Sequence, residues 1–470
     1  MPPGIATVAC LVAIVGLFAL DRDENARTSK ALWLPVLWVS LAGGSRIVSL
    51  WLGLESPIKS AEQYLDGSPV ERALYTALMA IGVIVLMGRG REVGEILRAN
   101  GPTIVFFVYC VASVLWSDYP YVAFKRSTKA MGDLVMVLIV LTDPHRPAAV
   151  RRFLTRIGLV LVPVSILLIK YYPALGQSYS GMEGNVRYIG IATDKNSLGA
   201  ICLVVGLGCV WRLAEGRKGT RKTGMLTAQG ALLAMVLWLF WKVNSLTALA
   251  CFSLAGGVIV VTSLPALRRR RALVHLPVAV ALCFAGAALF LNVGAELVET
   301  MGREATLTGR TGLWEKLLAM TQNLLLGTGF ESFWLGTRLE ELAADYWWHP
   351  NEAHNGYLEV FLNLGWLGVA LLGFVMVTGY RNVVSAFRRD PDLGGLKLGY
   401  FVAGTMYGFT EAAFRMLNPV WILFVLAVVA VPKANASPVR SATPSRFRHS
   451  MRERSPDHSP VRRKQDVSLG

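Results

Sequence analysis

His354 has the widest chemical reach of any residue in this sequence. It stands in "HPNEAHNGYLEV", where a polar run bearing His349 and His354 leads straight into an apolar helical pattern. A single imidazole titrates near neutral pH and suits a general base. The spacing of five between the two histidines is not the i, i+4 pair of a helical zinc site. His354 or Asn355 equally suits a simple cap for the helix that follows. Arg310 is the second candidate, at the start of another helical pattern. A helix N-terminus carries positive dipole charge, so an arginine there is unfavourable alone but suits an anion site beside free backbone N–H groups. A solvated loop arginine is the plainer alternative. Polar groups also gather in "GNVRYIGIATDKNSLGA", with Arg187, Asp194, Lys195 and Asn196, and in "LWSDYPYVAFKRSTKA", with Trp116, Ser117, Asp118 and Arg126. The short "NSLTALA" adds Asn244, Ser245 and Thr247, and Arg46 falls inside an apolar run.

The elements that must hold these groups are membrane helices. The chain has 470 residues, is 54% hydrophobic and 17% charged, and has a mean hydropathy of +0.47. Apolar runs of span length recur from end to end, and a bilayer helix needs about 20 such residues. Spans are expected near 4–20, 31–53, 73–88, 102–116, 130–142, 153–170, 197–212, 225–242, 246–264, 275–293, 356–378, 398–412 and 418–431. The expected fold is all-α: a polytopic integral membrane helical bundle of about 12–13 spans. The short alternating segments of an outer-membrane barrel are missing from the pattern. The first twenty residues lack a basic start and a small-residue cleavage site, so they read as a span and not a removed signal. All six cysteines fall inside expected spans, which argues against disulfides and against a zinc site.

The formal charge of +16 is distributed by loop. Basic residues follow alternate spans: Arg22, Arg27 and Lys30; Arg89, Arg91 and Arg98; Arg146, Arg151 and Arg152; Arg212 through Lys222; Arg268 to Arg271; then Arg381, Arg388 and Arg389. This alternation places those loops in the cytoplasm. The opposite loops are richer in Trp, Tyr, Gly and Asn. The chain divides into an N-terminal bundle over 1–293, a long outward loop over 294–355, C-terminal helices over 356–431 and a basic tail over 432–470. The tail is rich in Ser, Pro and Arg and reads as disordered. It carries no aromatic platform for bases, so nucleic acid is not an expected partner; the lipid surface is.

The long loop has internal order. Leu313, Trp314, Leu317, Leu318, Leu324 and Leu325 repeat at helical spacing, and Gly327 with Gly329 is expected to end that helix. An amphipathic helix lying on the membrane or on the bundle follows from this spacing.

Taken in order, these segments resemble the O-antigen ligase and exopolysaccharide polymerase family. The matching residues are Gly309, Arg310, Trp314, Leu326, Gly327, Gly329 and Phe333, then His354, Asn355, Leu358, Asn363, Gly365 and Gly368. "WS-x-x-P" at Trp116 to Pro120 and "KN-x-x-G" at Lys195 to Gly199 also match, and "SR-x-x-S-x-W" at Ser45 to Trp51 is similar to the exopolysaccharide branch. One departure is Asp194, where the family pattern has a histidine. The resemblance implies transfer of a glycan from a polyprenyl diphosphate carrier to an acceptor hydroxyl, outside the inner membrane, with no metal or other cofactor. It implies His354 as the base and Arg187 and Arg310 as diphosphate ligands, with Lys195, Asn196, Arg126, Asn355 and Trp314 assisting substrate binding. It also implies chain-length and export proteins as partners. Trp334, Trp347 and Trp348 suit either sugar stacking or interfacial anchoring.

Ligation to lipid A core is the alternative within this resemblance. A lipid-linked glycan flippase or other transporter is the alternative outside it. Transport would need coupled ionisable groups at the bilayer midplane, for which the candidates are Arg46, Asp133, Glu411 and Arg415. Glu411 and Arg415 are spaced to pair along one helical turn.

Overall fold

The structure is a computed structural model. It describes all residues except 22–26, 52–68, 181–184, 217–222, 291–307, 347 and 433–470. The expected disordered tail, the first part of the long loop and Trp347 therefore lie outside the described residues, as does the side chain of Arg46.

The described residues are helical almost throughout. In order the helices are α1 (Pro3–Leu20), α2 (Trp33–Trp51), α3 (Pro69–Met87), α4 (Gly90–Ala99), α5 (Gly101–Ala112), α6 (Pro120–Leu141) and α7 (Arg146–Tyr171). Then come α8 (Lys195–Gly216), α9 (Thr223–Val243), α10 (Leu246–Ser263), α11 (His275–Phe290), α12 (Thr308–Ala319) and α13 (Thr337–Asp345). The last three are α14 (Gly356–Arg389), α15 (Pro391–Tyr407) and α16 (Pro419–Val428). A two-stranded antiparallel hairpin, β1 (Gln177–Ser180) with β2 (Asn185–Tyr188), sits between α7 and α8.

Each of the thirteen expected spans contains one of these helices. Among the described residues seven helices are long and apolar enough to cross a membrane alone, or eight if α4 and α5, bent by 94°, count as one broken span. The remaining spans are shorter or carry charges near one end. α6 is the clearest case: it starts at Pro120, ten residues before the expected boundary, because its polar first turns are helical too.

The basic loops assigned to one side do meet. Arg212 pairs with Asp21 at 3.0 Å, Arg152 donates to Thr28 at 2.6 Å, and Arg151 pairs with Glu215. Arg268 pairs with Asp392, and Arg271 donates to the Arg388 carbonyl. These contacts gather alternate loops at one end of the bundle, as the charge pattern requires.

Backbone breaks inside an apolar bundle must be satisfied internally. At the α4–α5 bend, buried Asn100 donates to the carbonyls of Ile96 and Ala430 and accepts from the Ala430 amide. α14 is broken at Gly365, whose φ of +64° and ψ of −169° belong to a region only glycine occupies readily. The freed groups are taken up by segment 324–329. Trp366 and Leu367 amides donate to Leu324 and Leu325 carbonyls, and Thr328 and Gly329 amides donate to Leu362 and Asn363 carbonyls. That corrects the reading of the loop. α12 stops at Ala319, and Leu324 and Leu325 are exposed, because residues 320–336 form turns that splice into the α14 break. Leu313 and Leu317 of α12 are fully buried against Phe333, Leu342 and Leu362, so its apolar face packs on protein.

A Cβ at Gly365 would stand 2.2 Å from the Leu325 carbonyl oxygen, whereas one at Gly373 meets nothing within 4 Å. Gly365→Ala is therefore expected to remove most folded protein from detergent extracts on size exclusion. Gly373→Ala on the same helix should elute like the parent.

Candidate active site

His354 is held between two fixed points. On one side, the Ala353 carbonyl accepts from the Trp314 indole at 2.8 Å, and the Ala353 amide donates to Glu359 at 2.6 Å. Glu359 itself is anchored by the Trp334 indole at 3.0 Å. On the other side, the Asn355 side chain caps α14 by accepting from the amides of Tyr357 and Leu358. Between these anchors His354 adopts a φ of +48°. That left-handed conformation costs an ordinary residue about 1–2 kcal/mol and favours glycine or asparagine.

The ring is oriented by two carboxylates. Nδ1 lies 2.9 Å from Glu352 and 3.3 Å from Glu411. Nε2 is then the nitrogen left to meet a ligand. Burial pulls the imidazole down, but the hydrogen bonds to Glu352 and Glu411 outweigh it and push its pKa up to about 9. Burial raises Glu352 too, yet His354, Arg415 and Arg310 overcome it and hold it below the usual range. Glu411 goes the other way: its burial prevails over the same histidine. The difference has a geometric cause. The Glu352 charge adds to the upward push on Glu411, and the arginine partner of Glu411 stands farther off. Arg310 is 3.9 Å from Glu411, while Arg415 is 3.3 Å from Glu352 and 2.9 Å from Glu331.

These groups face a cavity of about 510 Å³, lined among others by Arg187, Lys195, Asn196, Trp348, His354 and Glu411. Besides segment 348–354, three chain regions bring its charged and polar side chains. β2 brings Arg187; the N-terminus of α8 brings Lys195 and Asn196; the loop 408–418 brings Glu411 and Arg415. Asp194 opens α8 by accepting from the amides of Asn196 and Ser197, each at 2.9 Å. The position that departs from the family pattern is thus a helix cap. The loop 408–418 is pinned from inside the bundle. The Leu417 amide donates to Asp133 at 2.9 Å, and Asp133 also accepts from the Trp38 indole at 2.7 Å.

The structure sorts the sequence candidates. His354, Arg187, Lys195 and Asn196 share one cavity, and Asn196 donates to Glu411 at 3.1 Å. Arg310 joins them through Glu411 and through the Thr410 carbonyl at 2.8 Å. Arg187 and Lys195 also border a neighbouring cavity of about 370 Å³ with Asn244. Asn355 is a helix cap and Trp314 a strut behind His354. Trp334 is buried at 4% exposure, whereas Trp348 lies beside His354 with ring centroids 6.2 Å apart. Arg126 donates to the Glu331 carbonyl and borders a different cavity.

Glu331, Glu352, Glu411 and Arg415 were missed as site residues. Glu411 and Arg415 read as a helical pair, but they lie in a turn-rich loop and each is paired elsewhere. Glu352, between Pro350 and His354, was the legible signal. Oxygen and nitrogen atoms of Glu352, His354 and Glu411 lie within 4.8 Å of one another, a possible cation set by type. Their charges are already countered by Arg310 and Arg415.

Fold and site together define a multi-pass membrane protein with a charged, histidine-bearing cavity at one end of its bundle. Residues 197–373 match the model of the family described as O-Antigen ligase. The chain is also 25% identical over 307 residues to the exopolysaccharide production protein ExoQ of Rhizobium meliloti (strain 1021). That match covers 61% of this chain and 66%, just under two thirds, of the relative. Both matches agree with the resemblance that the sequence motifs carry. Arg310 and His354 lie inside the matched domain; Arg187, Glu411 and Arg415 lie outside it.

Proposed function

We propose that this protein transfers a glycan from a polyprenyl diphosphate carrier to an acceptor hydroxyl in exopolysaccharide assembly, at the outer face of the inner membrane. The observation that carries the reading is convergence. Arg187, Lys195 and His354, far apart in the chain, line one cavity, and Arg310 is tied to it through Glu411.

In this scheme the acceptor oxygen attacks the anomeric carbon of the donor sugar. The bond from that carbon to the diphosphate oxygen breaks, and its electron pair leaves on the diphosphate. Arg187, Arg310 and Lys195 stabilise that charge, the arginines through two-point contacts. The acceptor proton passes to Nε2 of His354, while Glu352 and Glu411 stabilise the resulting imidazolium at Nδ1. The guanidinium groups take the place a divalent cation has in many phosphate sites. Chain-length and export proteins are the proposed partners.

Ligation to lipid A core is the second reading, favoured by the description of the matching domain. Three of the four transport candidates have other partners, and the side chain of the fourth, Arg46, lies outside the described residues. Asp133 anchors a loop, and Glu411 and Arg415 belong to the histidine cluster. The test is purified full chain in detergent with lipid-linked repeat units, EDTA and no ion gradient. Longer glycan chains are expected. No transfer under these conditions, together with gradient-driven movement of the lipid in vesicles, would overturn the proposal.

A further inference from the structure

A cavity larger than the one that holds His354 lies elsewhere in the bundle. It is a groove of about 780 Å³ between α3 and α6, floored by Trp38, Tyr75 and Met79. Its flank is apolar and turned outward from the bundle: Val83, Ile84 and Phe124 are 39%, 67% and 56% exposed. On a membrane helix such a face meets lipid chains. The end near the start of α6 is different. Arg72, Lys125, Arg126 and Lys129 line it, against one carboxylate, Glu71. Two of these cations are supported from below, Lys125 over the Tyr121 ring at 4.5 Å and Lys129 over the Tyr75 ring at 5.4 Å. The groove therefore has an apolar body and a cationic head.

That head adjoins the His354 cavity. Met416 lines both. A continuous polar chain also joins them. Arg126 donates to the Glu331 carbonyl, the Glu331 carboxylate pairs with Arg415 at 2.9 Å, Arg415 reaches Glu352 at 3.3 Å, and Glu352 holds His354 at 2.9 Å.

We infer that this groove berths the lipid-linked acceptor: its polyprenyl chain lies along α3 and α6, and its diphosphate sits on Arg72, Lys125 and Lys129. The inference rests on the transfer reading above and extends it. Two arguments select this occupant. First, charge: a membrane phosphodiester carries one negative charge, a diphosphate diester two, and four cations against one carboxylate fit the second better. Second, reaction geometry. The donor's anomeric carbon is bonded directly to its diphosphate, so donor phosphates must lie beside His354, where Arg187 and Arg310 are. The acceptor's reacting hydroxyl is at the far end of its glycan from its own phosphates. Acceptor phosphates therefore belong one cavity away, with the sugars reaching past Met416.

The experiment uses full chain in lipid nanodiscs containing phosphatidylethanolamine and phosphatidylglycerol, with a photoreactive polyprenyl diphosphate. Label is expected on peptides of α3 and α6, displaced by unlabelled polyprenyl phosphate and not by excess phosphatidylglycerol. Displacement by both alike would mean bulk lipid fills the groove and would overturn the site. For the role, Lys125→Ala/Lys129→Ala is compared with the parent at varied donor and acceptor. The acceptor KM is expected to rise about tenfold, equivalent to about 1.4 kcal/mol of binding, with the donor KM unchanged. A rise confined to the donor KM, or no change in either, would overturn the assignment. Ile84→Trp, which obstructs the apolar body and leaves the cations, should act in the same direction. Parent protein that transfers nothing yet labels specifically would defeat the transfer reading alone; transfer without specific label would defeat the groove alone.

Discussion

His354→Asn is expected to abolish glycan polymer while the protein still inserts, folds and accumulates to parental levels. Asparagine tolerates the left-handed backbone that His354 adopts, so the change removes the ring without adding strain. General-base catalysis by a placed side chain is worth about 10²–10⁴ in rate. A loss of that size in kcat, with donor KM little altered, identifies the step as proton removal; full polymer from this variant would refute the assignment. The pH profile gives a second readout. With the imidazole pKa pushed up to about 9, Nε2 is mostly protonated at neutral pH. The neutral fraction grows roughly tenfold per unit below that value, so the parental rate should rise with pH and level off near 9. Glu411→Gln removes one of the two carboxylates that raise it, and its plateau should arrive at lower pH. Stability runs in the opposite sense. A raised pKa stabilises the fold fully below the ordinary value near 6.5, and that contribution is lost as pH rises through about 9. Faster transfer and a loosening carboxylate cluster should thus share one pH window. A rate that falls through that window would instead make His354 a cation toward the diphosphate.

How much of this was legible depends on which interaction fixes each residue. The helices were legible because apolar span length and alternating basic loops are local signals, and the cytoplasmic-type loops do meet through pairs such as Arg212 with Asp21. The end of α12 was not. Leu324 and Leu325 continue the helical period, but the break at Gly365 draws segment 324–329 into tertiary hydrogen bonds that no local pattern announces. The same distinction holds in the site. His354 and Arg310 stood out as polar groups at helix starts, and Arg187 in a polar run before an expected span. Glu411 did not, because its partners are 57 and 101 positions away, at His354 and Arg310. Trp314 was a substrate-binding candidate and Trp334 suited either sugar stacking or interfacial anchoring; only tertiary structure shows their indoles donating to Ala353 and Glu359. Asp194 looked like a lost functional position and proves to cap α8.

Arg310 sets the second large effect. Its guanidinium is fixed by the Thr410 carbonyl at 2.8 Å and approaches Glu411 at only 3.9 Å, so most of its charge is not consumed by a close ion pair. It also stands in the first turn of α12, where the helix dipole adds to the same field. Such a cation attracts a developing phosphate charge more strongly than it attracts the bound ground state, which is the condition for a large effect on kcat. Arg310→Ala should lower kcat by about 10²–10³, the usual cost of losing one preorganised stabiliser of a leaving or attacking oxygen. Arg310→Lys should recover only part, because a lysine supplies the charge without the planar two-point geometry. The alanine variant also frees Glu411 from its one arginine neighbour, so the His354 pKa and the alkaline plateau should move further up, opposite to the shift from Glu411→Gln. A variant with unchanged kcat and only a raised donor KM would place Arg310 in uniform binding and return the leaving-group role to Arg187 and Lys195.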